Sequence, residues 1–474
     1  MEALAPGRPS PWLDVAVIVV LAAVARAVVV LWAGNAFPPT ADGHYYHLLA
    51  VRLAEGQGYT WQWPDGSVDY AAHYPVGFSA LLALAYTLAG STAPVVGATL
   101  QAVIGVLGAG AATIVGWSLG ADHGRLVGRV AGALVALHPG LLLYTPALMT
   151  EGLIASLLLV VVALAMEGRR RESYVMRTLS VVALGVAVLV RPQCLVLAPA
   201  LGWLFWHPSA ARGRRATGAV LAVVGTLAVC APWTVRNCHR MNRCALVSMN
   251  GGWNLLIGTD PSPDGGWSEL KVPKGCEQVY SEAEKDRCFQ RAAMATIAAA
   301  PRRWLALVPA KWAGTFRAVN AGPWYLEAAN AERFPAGLRR ATSAVEVIFE
   351  RILLALALVA AFGHWWRRSG GRYRSVARWL LAGGLLFCVL PPATPAFLLF
   401  AAVASGASTP AIALAGWHVA STAAIHAVFF GGGRYQLVLW GLLSVVAARG
   451  AVEVWTRAKT AFRRRRTSGP PDRA

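Results

Sequence analysis

Apolar runs long enough to cross a bilayer constrain this chain more than any other feature. Roughly ten or more segments, mostly Ala, Leu and Val with interspersed Gly, approach the ~20 residues that a transmembrane helix needs, the first at residues 12 to 33. In lipid every backbone polar group must be satisfied within the protein, so such runs form helices or a closed barrel. They lack the alternation of barrel strands, which leaves helices. Composition agrees: 56% of the 474 residues are hydrophobic and 14% are charged, with mean hydropathy +0.50. An ordinary soluble domain is excluded, and an all-α polytopic membrane protein is expected.

The net charge of +20 would suit a nucleic-acid binder, but its distribution argues against one. The arginines lie between apolar runs, at Arg169 to Arg171, at Arg212, Arg214 and Arg215, at Arg367, Arg368, Arg372 and Arg374, and at Arg463 to Arg466. This is the positive-inside pattern, so these clusters mark cytoplasmic loops and a basic cytoplasmic tail over 457–474. No nucleic-acid partner is expected. Residues 12 to 33 read as an uncleaved signal anchor, because no small-residue cleavage site follows them.

Running that first span outward leaves a loop over 34–94 outside. It holds a helical stretch from His44 to Glu55, a turn at Gly56-Gln57-Gly58 and the aromatics Tyr59, Trp61, Trp63 and Tyr70. The apolar run from Pro75 to Gly90 is short for a span, and the charge parity of later loops is kept only if it lies in the interface. On that count Glu151 emerges on the same side as Asp42. A span is expected to end at Pro232-Trp233, followed by the longest polar interval, 234–300, which is long enough for a small extracytoplasmic lid. An amphipathic stretch over 292–317 returns along the membrane, and 343–363 crosses inward. Pro391, Pro392 and Pro395 leave one broken helix or two short ones.

Cys194, Cys230 and Cys388 lie in or beside apolar runs and read as small buried hydrophobes. Cys238, Cys244, Cys276 and Cys288 all fall in the polar interval. An even set in a non-cytoplasmic segment suggests two disulfides, most simply Cys238 with Cys244 and Cys276 with Cys288, although sequence leaves the pairing open.

Within this frame an ordered set of short motifs stands out: Asp42-Gly43-His44-Tyr45-Tyr46, Tyr74-Pro75-Val76-Gly77, Thr150-Glu151, Arg191-Pro192, Pro232-Trp233-Thr234-Val235-Arg236-Asn237, Asn250-Gly251-Gly252 and Arg434-Tyr435. In this order they resemble the GT-C superfamily of membrane glycosyltransferases, in the branch with dolichyl-phosphate-mannose protein mannosyltransferases and lipid A aminoarabinose transferases. The resemblance covers residues 12 to about 450. It implies a GT-C-like bundle of about 10 to 13 transmembrane helices over 1–456, with interfacial helices in the first outer loop. It further implies a polyprenyl-phosphate-linked sugar donor, an acceptor that is a lipid, a glycan or a protein, and a site on the extracytoplasmic side of a bacterial cytoplasmic membrane. The first-loop acid of such enzymes lies at the catalytic centre. Here that place holds one acid, Asp42, followed by glycine rather than by a second acid, a departure that argues against a protein acceptor.

Chemistry asks for the same parts. A carboxylate within hydrogen-bond reach can take the proton of an attacking hydroxyl, and cationic donors stabilise a departing phosphate. Asp42 is the expected base and Glu151 the second catalytic acid. Arg236, Arg434 and Arg191 are the expected phosphate ligands, and His44, Tyr45, Tyr46, Tyr74, Asn250 and Tyr435 the expected substrate contacts. Simpler readings compete: Asp42 as a helix N-cap, Arg191 as a snorkelling helix end, Trp61 and Trp63 as an interfacial belt, and Asn250-Gly251-Gly252 as a tight turn in the lid. No cofactor is required, although His44 and His47 share a helical face and with Asp42 leave room for a divalent metal. The rival function is a transporter or flippase of a lipid-linked or anionic substrate, which typically shows inverted repeats and broken mid-membrane helices; no convincing repeat is evident.

Overall fold

The computed structural model describes residues 10–120, 123–207, 209–368, 371–407 and 409–467. The last seven residues of the expected basic tail lie outside the described residues. Helix α1 (Pro11–Ala33) starts where Ser10 accepts from the Trp12 amide, has Pro11 in its first turn, and stops at Gly34. Its buried stripe, Ile18, Ala22, Arg26 and Val30, recurs every four residues, while Val17, Val20, Val24, Val28 and Leu31 face outward. That apolar exterior suits lipid rather than water.

The first loop carries helix α2 (Asp42–Ala54), a hairpin of β1 (Thr60–Gln62) and β2 (Val68–Tyr70), and helix α3 (Val76–Ala89). The strands are antiparallel, with Trp61 opposite Asp69. Helix α3 has 14 residues, too few to cross a hydrocarbon core at 1.5 Å per residue. Helix α4 (Pro94–Trp117) packs on α1, on α5 (Gly124–Ala136) and on α7 (Thr150–Arg170). Between α5 and α7 the chain bends by 41° into the short α6 (Pro139–Leu143) and its continuing 3₁₀ turn.

Helix α8 (Tyr174–Val190) is followed by a 3₁₀ turn over Pro192–Leu197 and the short α9 (Ala198–Trp203). Helix α10 (Arg212–Arg240) does not end at Pro232 but runs on for two more turns. The extension is held by partners beyond the proline: Trp233 Nε1 donates to the Val247 carbonyl at 2.8 Å, and Asn237 Nδ2 to those of Ala245 and Val247 at 3.1 and 3.2 Å. Each satisfied polar group offsets the ladder bond that the proline removes.

The polar interval folds into α11 (Gly251–Ile257) and α12 (Glu282–Ala299), joined by irregular chain. Disulfides connect Cys238 to Cys244 and Cys276 to Cys288. Arg243 pairs with Asp286 at 2.8 Å. The lid is fastened to the first loop by Glu282, which accepts from the Ala72 and His73 amides and from Trp61 Nε1.

The chain returns through α13 (Pro301–Ala306), α14 (Val308–Thr315) and α15 (Ala321–Ala329) to the long α16 (Ala336–Arg368). Pro391 and Pro392 separate two helices, α17 (Gly371–Val389) and α18 (Thr394–Ser405). Helices α19 (Pro410–Val428) and α20 (Trp440–Thr467) complete the bundle, and α20 packs along α16. It carries through residue 457 without a break, so the described part of the tail is helical. Among the described residues six helices are long and apolar enough to cross a membrane, a bent pair makes a seventh, and four shorter apolar helices accompany them. That is fewer than the expected ten to thirteen spans, because the remaining apolar helices, α3 among them, are too short to pass as full spans on length; the chain is an integral membrane protein of all-α polytopic fold.

Candidate functional site

Asp42 is the first residue of α2, and the cap position is taken by Ala41 with no side-chain cap bond. The carboxylate of Asp42 therefore does not serve the helix end. It accepts from the Tyr74 hydroxyl at 3.1 Å through Oδ1 and from Arg434 Nη1 at 2.8 Å through Oδ2. Ala41 has φ +50, a left-handed backbone that costs a non-glycine residue about 1 kcal/mol or more. That turn aims the start of α2 inward.

Gly43 explains the missing second acid. A Cβ there would lie 2.7 Å from the carbonyl oxygen of Ala147 and 3.4 Å from that of Leu148. Position 43 is consumed by the close approach of α2 to the turn before α7, which is what brings Asp42 near Glu151. A larger residue would push the two acids apart.

Glu151 lies in the first turn of α7 and is 1% exposed. Its Oε1 is 2.8 Å from Arg191 Nη1 and 3.7 Å from Arg434 Nε, and its Oε2 accepts from the Tyr144 hydroxyl at 2.8 Å. Arg191 ends α8 and turns inward, with Nη1 also donating to Thr150 Oγ1 at 3.0 Å. The snorkelling reading of Arg191 is thereby corrected: a buried carboxylate needs a partner, and the helix end is where an arginine can reach it.

Arg434 links the two acids. It stands in a 3₁₀ turn over Gly433–Leu439, and also donates to the hydroxyls of Tyr325 at 2.7 Å and Tyr435 at 3.3 Å. The preceding chain reaches this point because Gly433 sits against the Ala318 carbonyl, where a Cβ would be 2.1 Å away. Lys311 fixes the approach from the other side, donating from Nζ to the carbonyls of Ala427 and Val428 at the end of α19, each at 3.2 Å. Tyr435 is buried and stacks on His426 with ring centroids 4.4 Å apart.

Above Asp42 the aromatic groups form a wall. Tyr45 stacks on Tyr74 at 5.3 Å and meets Trp61 edge-on at 5.9 Å, while Tyr46 is buried between Tyr74 and Phe78. His44 is exposed beside Tyr45. His47 Nδ1 is instead bonded to the Tyr86 hydroxyl at 2.9 Å. Among the described residues no group of three or more His, Cys, Asp or Glu is arranged to hold a metal; Asp42, His44 and His47 do not converge, because Asp42 is turned to Arg434.

Two expected contacts stand elsewhere. Arg236 donates to the carbonyls of Ala71 and Tyr59 at 2.8 and 2.9 Å and to Asn237 Oδ1. Its fork holds the base of the hairpin rather than facing Asp42, joining the Ala71 carbonyl to that of Tyr59, which also accepts from the Ala71 amide at 3.0 Å. Asn250 precedes α11, whose first amides, Gly252 and Trp253, donate to Asp286 Oδ1 at 2.7 and 3.2 Å. An internal carboxylate already fills that anion-binding position, and the expected tight turn is instead the start of a helix, with Asn250 at the cap position and Gly251 and Gly252 in the first turn of α11. Tyr144 and Tyr325, not singled out from sequence, orient Glu151 and Arg434; nothing in their local pattern distinguishes them from core aromatics.

Burial pushes the Asp42 carboxyl up, but the Arg434 guanidinium and the Tyr74 hydroxyl outweigh it and hold the group below its ordinary value. The Tyr74 hydroxyl is pushed up by burial and by the Asp42 charge, so it remains a donor. The cluster thus offers one half-buried carboxylate facing a wall of aromatics, backed by two arginines and a second, buried acid.

No protein-family model matches the sequence, and no curated protein matches it. Among solved structures, the apo crystal structure of the Archaeoglobus fulgidus oligosaccharyltransferase matches at TM-score 0.51 and 12% identity, across 96% of this chain and 52% of that one. The same protein tethered to an acceptor peptide matches at TM-score 0.48 and 14% identity, across 94% and 50%. ArnT from Cupriavidus metallidurans, bound to undecaprenyl phosphate, matches at TM-score 0.35 and 16% identity, across 93% and 77%. The chain spans about half the length of the oligosaccharyltransferase. What is common to this chain and that enzyme is the fold, the all-α polytopic fold expected from the GT-C resemblance.

Proposed function

We propose that the chain transfers a sugar from a polyprenyl-phosphate-linked donor to an acceptor hydroxyl at the extracytoplasmic face of a bacterial cytoplasmic membrane. The observation that carries this reading is the junction at Arg434, whose guanidinium lies 2.8 Å from Asp42 and 3.7 Å from Glu151 at one end of an apolar bundle. Ionisable groups gathered at a membrane helix mouth are costly to maintain without a function. The fold held in common with an oligosaccharyltransferase supports the same class of reaction.

In the proposed displacement the acceptor oxygen bonds to the anomeric carbon as the bond from that carbon to the donor phosphate breaks. The electron pair of the broken bond goes to the phosphate, and the hydroxyl proton goes to Asp42. The released phosphate carries one more negative charge than it did in the donor, and Arg434, supported by Arg191, stabilises it. The donor phosphate competes with Asp42 for Arg434, so donor binding loosens the resting ion pair and turns the carboxylate toward the acceptor. Tyr45 and Tyr74 border the space in which the sugar would sit. Glu151, whose carboxylate is fully engaged, keeps the two arginines in place and is a positioning residue in this scheme.

The test is mass spectrometry of glycolipids, glycans and glycoproteins from cells with active and with inactive protein. Loss of one sugar-bearing product, with build-up of a polyprenyl-phosphate sugar, is expected. Identical profiles in all three fractions would contradict the proposal.

A further inference from the structure

The end of the bundle opposite Asp42 holds an arginine-rich cavity. Helix α7 carries Glu151 at one end and Arg170 at the other, a rise of about 30 Å, comparable to a hydrocarbon core. Around its Arg170 end lies an open cavity of about 1340 Å³, lined among the described residues by six arginines and two glutamates. Two of the arginines, Arg125 and Arg129, share Asp14 at 2.9 and 2.8 Å, and Arg170 pairs with Glu167 at 2.6 Å. Among the described residues the lining still has a surplus of positive charge.

The surplus is built into the wall. Arg177 is 6% exposed, with its carbon Cζ 4.2 Å from the centre of the Trp206 ring and 5.1 Å from that of Tyr174. Its Nε donates to the Gly168 carbonyl at 3.2 Å, and its Nη1 has no hydrogen-bond partner. Arg214 covers Trp206 at 3.9 Å. A buried guanidinium with an unused donor beside a cavity is an incomplete hydrogen-bond arrangement. Aromatic rings hold both arginines in fixed planes, which reduces the entropy lost when they bind an anion.

We infer that this cavity binds the phosphate of an anionic lipid headgroup, using Arg177 in the wall and Arg169 and Arg214 near the mouth. The exposed Trp12 and Tyr174, 48% and 67% accessible, stand at the rim as aromatic side chains do at headgroup depth. That placement favours a lipid over a soluble anion. The positive-inside arginines at 169 and 214 then do more than set topology: they hold a lipid of the leaflet that faces them. The inference is independent of the transfer site at the other end of α7.

The experiment is native mass spectrometry of the delipidated full chain with phosphatidylglycerol and with phosphatidylcholine, using the wild type and the double variant Arg169→Gln/Arg214→Gln. Phosphatidylglycerol is chosen over polyprenyl phosphate because the latter would also enter the proposed transfer site. Preferential binding of phosphatidylglycerol, weakened roughly tenfold or more in the double variant at unchanged melting temperature, is expected. Arg177→Met should weaken it further, and matching melting curves with lipid-free wild type would show that the loss is not unfolding. Equal binding of both lipids, or equal affinity in the double variant, would overturn the inference. Displacement of phosphatidylglycerol by millimolar inorganic phosphate would replace the headgroup with a free anion and overturn the lipid assignment.

Discussion

Arg434 Nη1 donates to Asp42 Oδ2 across 2.8 Å, joining the loop after the first helix to the turn before the last helix. The same guanidinium reaches Glu151 at 3.7 Å, so one side chain sets the spacing of both acids. Its planar fork is suited to this, because it presents several donors in fixed directions. The consequences can be measured separately.

Glu151 and Arg191 form a buried ion pair, with side chains 2% and 11% exposed. Removing one partner leaves an uncompensated charge, a loss of about 3–5 kcal/mol. Glu151→Gln and Arg191→Met should each lower the melting temperature in detergent clearly, and the double variant should lose less than the two combined. Strict additivity in that double-mutant cycle would show that the pair is not coupled.

The pH dependence follows from the direction of the Asp42 shift. Its folded value lies below the unfolded value, which is about 3.9. The stabilisation is therefore complete above the unfolded value and is lost as pH falls through the lower folded one. Transfer should be level from neutral pH down to about pH 5, with an acid limb that moves to higher pH in Arg434→Gln. An Asp42-dependent limb near neutrality in the wild type would count against the ion pair.

Gly43→Ala places a methyl group 2.7 Å from the Ala147 carbonyl oxygen. Overpacking of this kind costs about 1–3 kcal/mol, and relief requires α2 to move away from Glu151. Both stability and transfer should fall, whereas Gly213→Ala, with nothing within 4 Å, should leave both unchanged. Transfer rates and melting curves for the two variants provide the comparison; wild-type behaviour of Gly43→Ala would show that the close approach is dispensable.

Glu282 is the fastening between lid and first loop. Glu282→Ala removes the acceptor used by the Ala72 and His73 amides. Hydrogen exchange at those two amides should speed up while the helices of the bundle stay protected. Unchanged exchange at both positions would mean that the lid is held by other contacts.

Much of this architecture is legible from residue type alone, because apolar length and arginine placement are direct consequences of the bilayer. The parity of the basic loops put Asp42, Glu151 and Arg434 on one side, and the structure brings those three together. Direction within the site is not encoded in residue type. Arg191 and Arg236 both stand near helix ends, yet one turns to a buried acid and the other to the carbonyls of a hairpin. The difference depends on which acceptor lies within reach, a tertiary fact. Pro232 looked like a stop, and the partners that carry α10 past it come from the segment beyond. Gly43 was visible as a departure from the acidic pair, but only the proximity of Ala147 gives it a reason.

The most direct test of the central claim is the rate of sugar transfer from polyprenyl-phosphate-linked donors in membranes containing Asp42→Asn at wild-type protein level. The variant keeps the size of the side chain and a bond acceptor for Tyr74 and Arg434, but removes the base. A fall of about 10²–10⁴-fold is predicted, with the protein still folded and inserted. Transfer within a factor of about two of wild type would contradict the account, since a general base contributes far more than that.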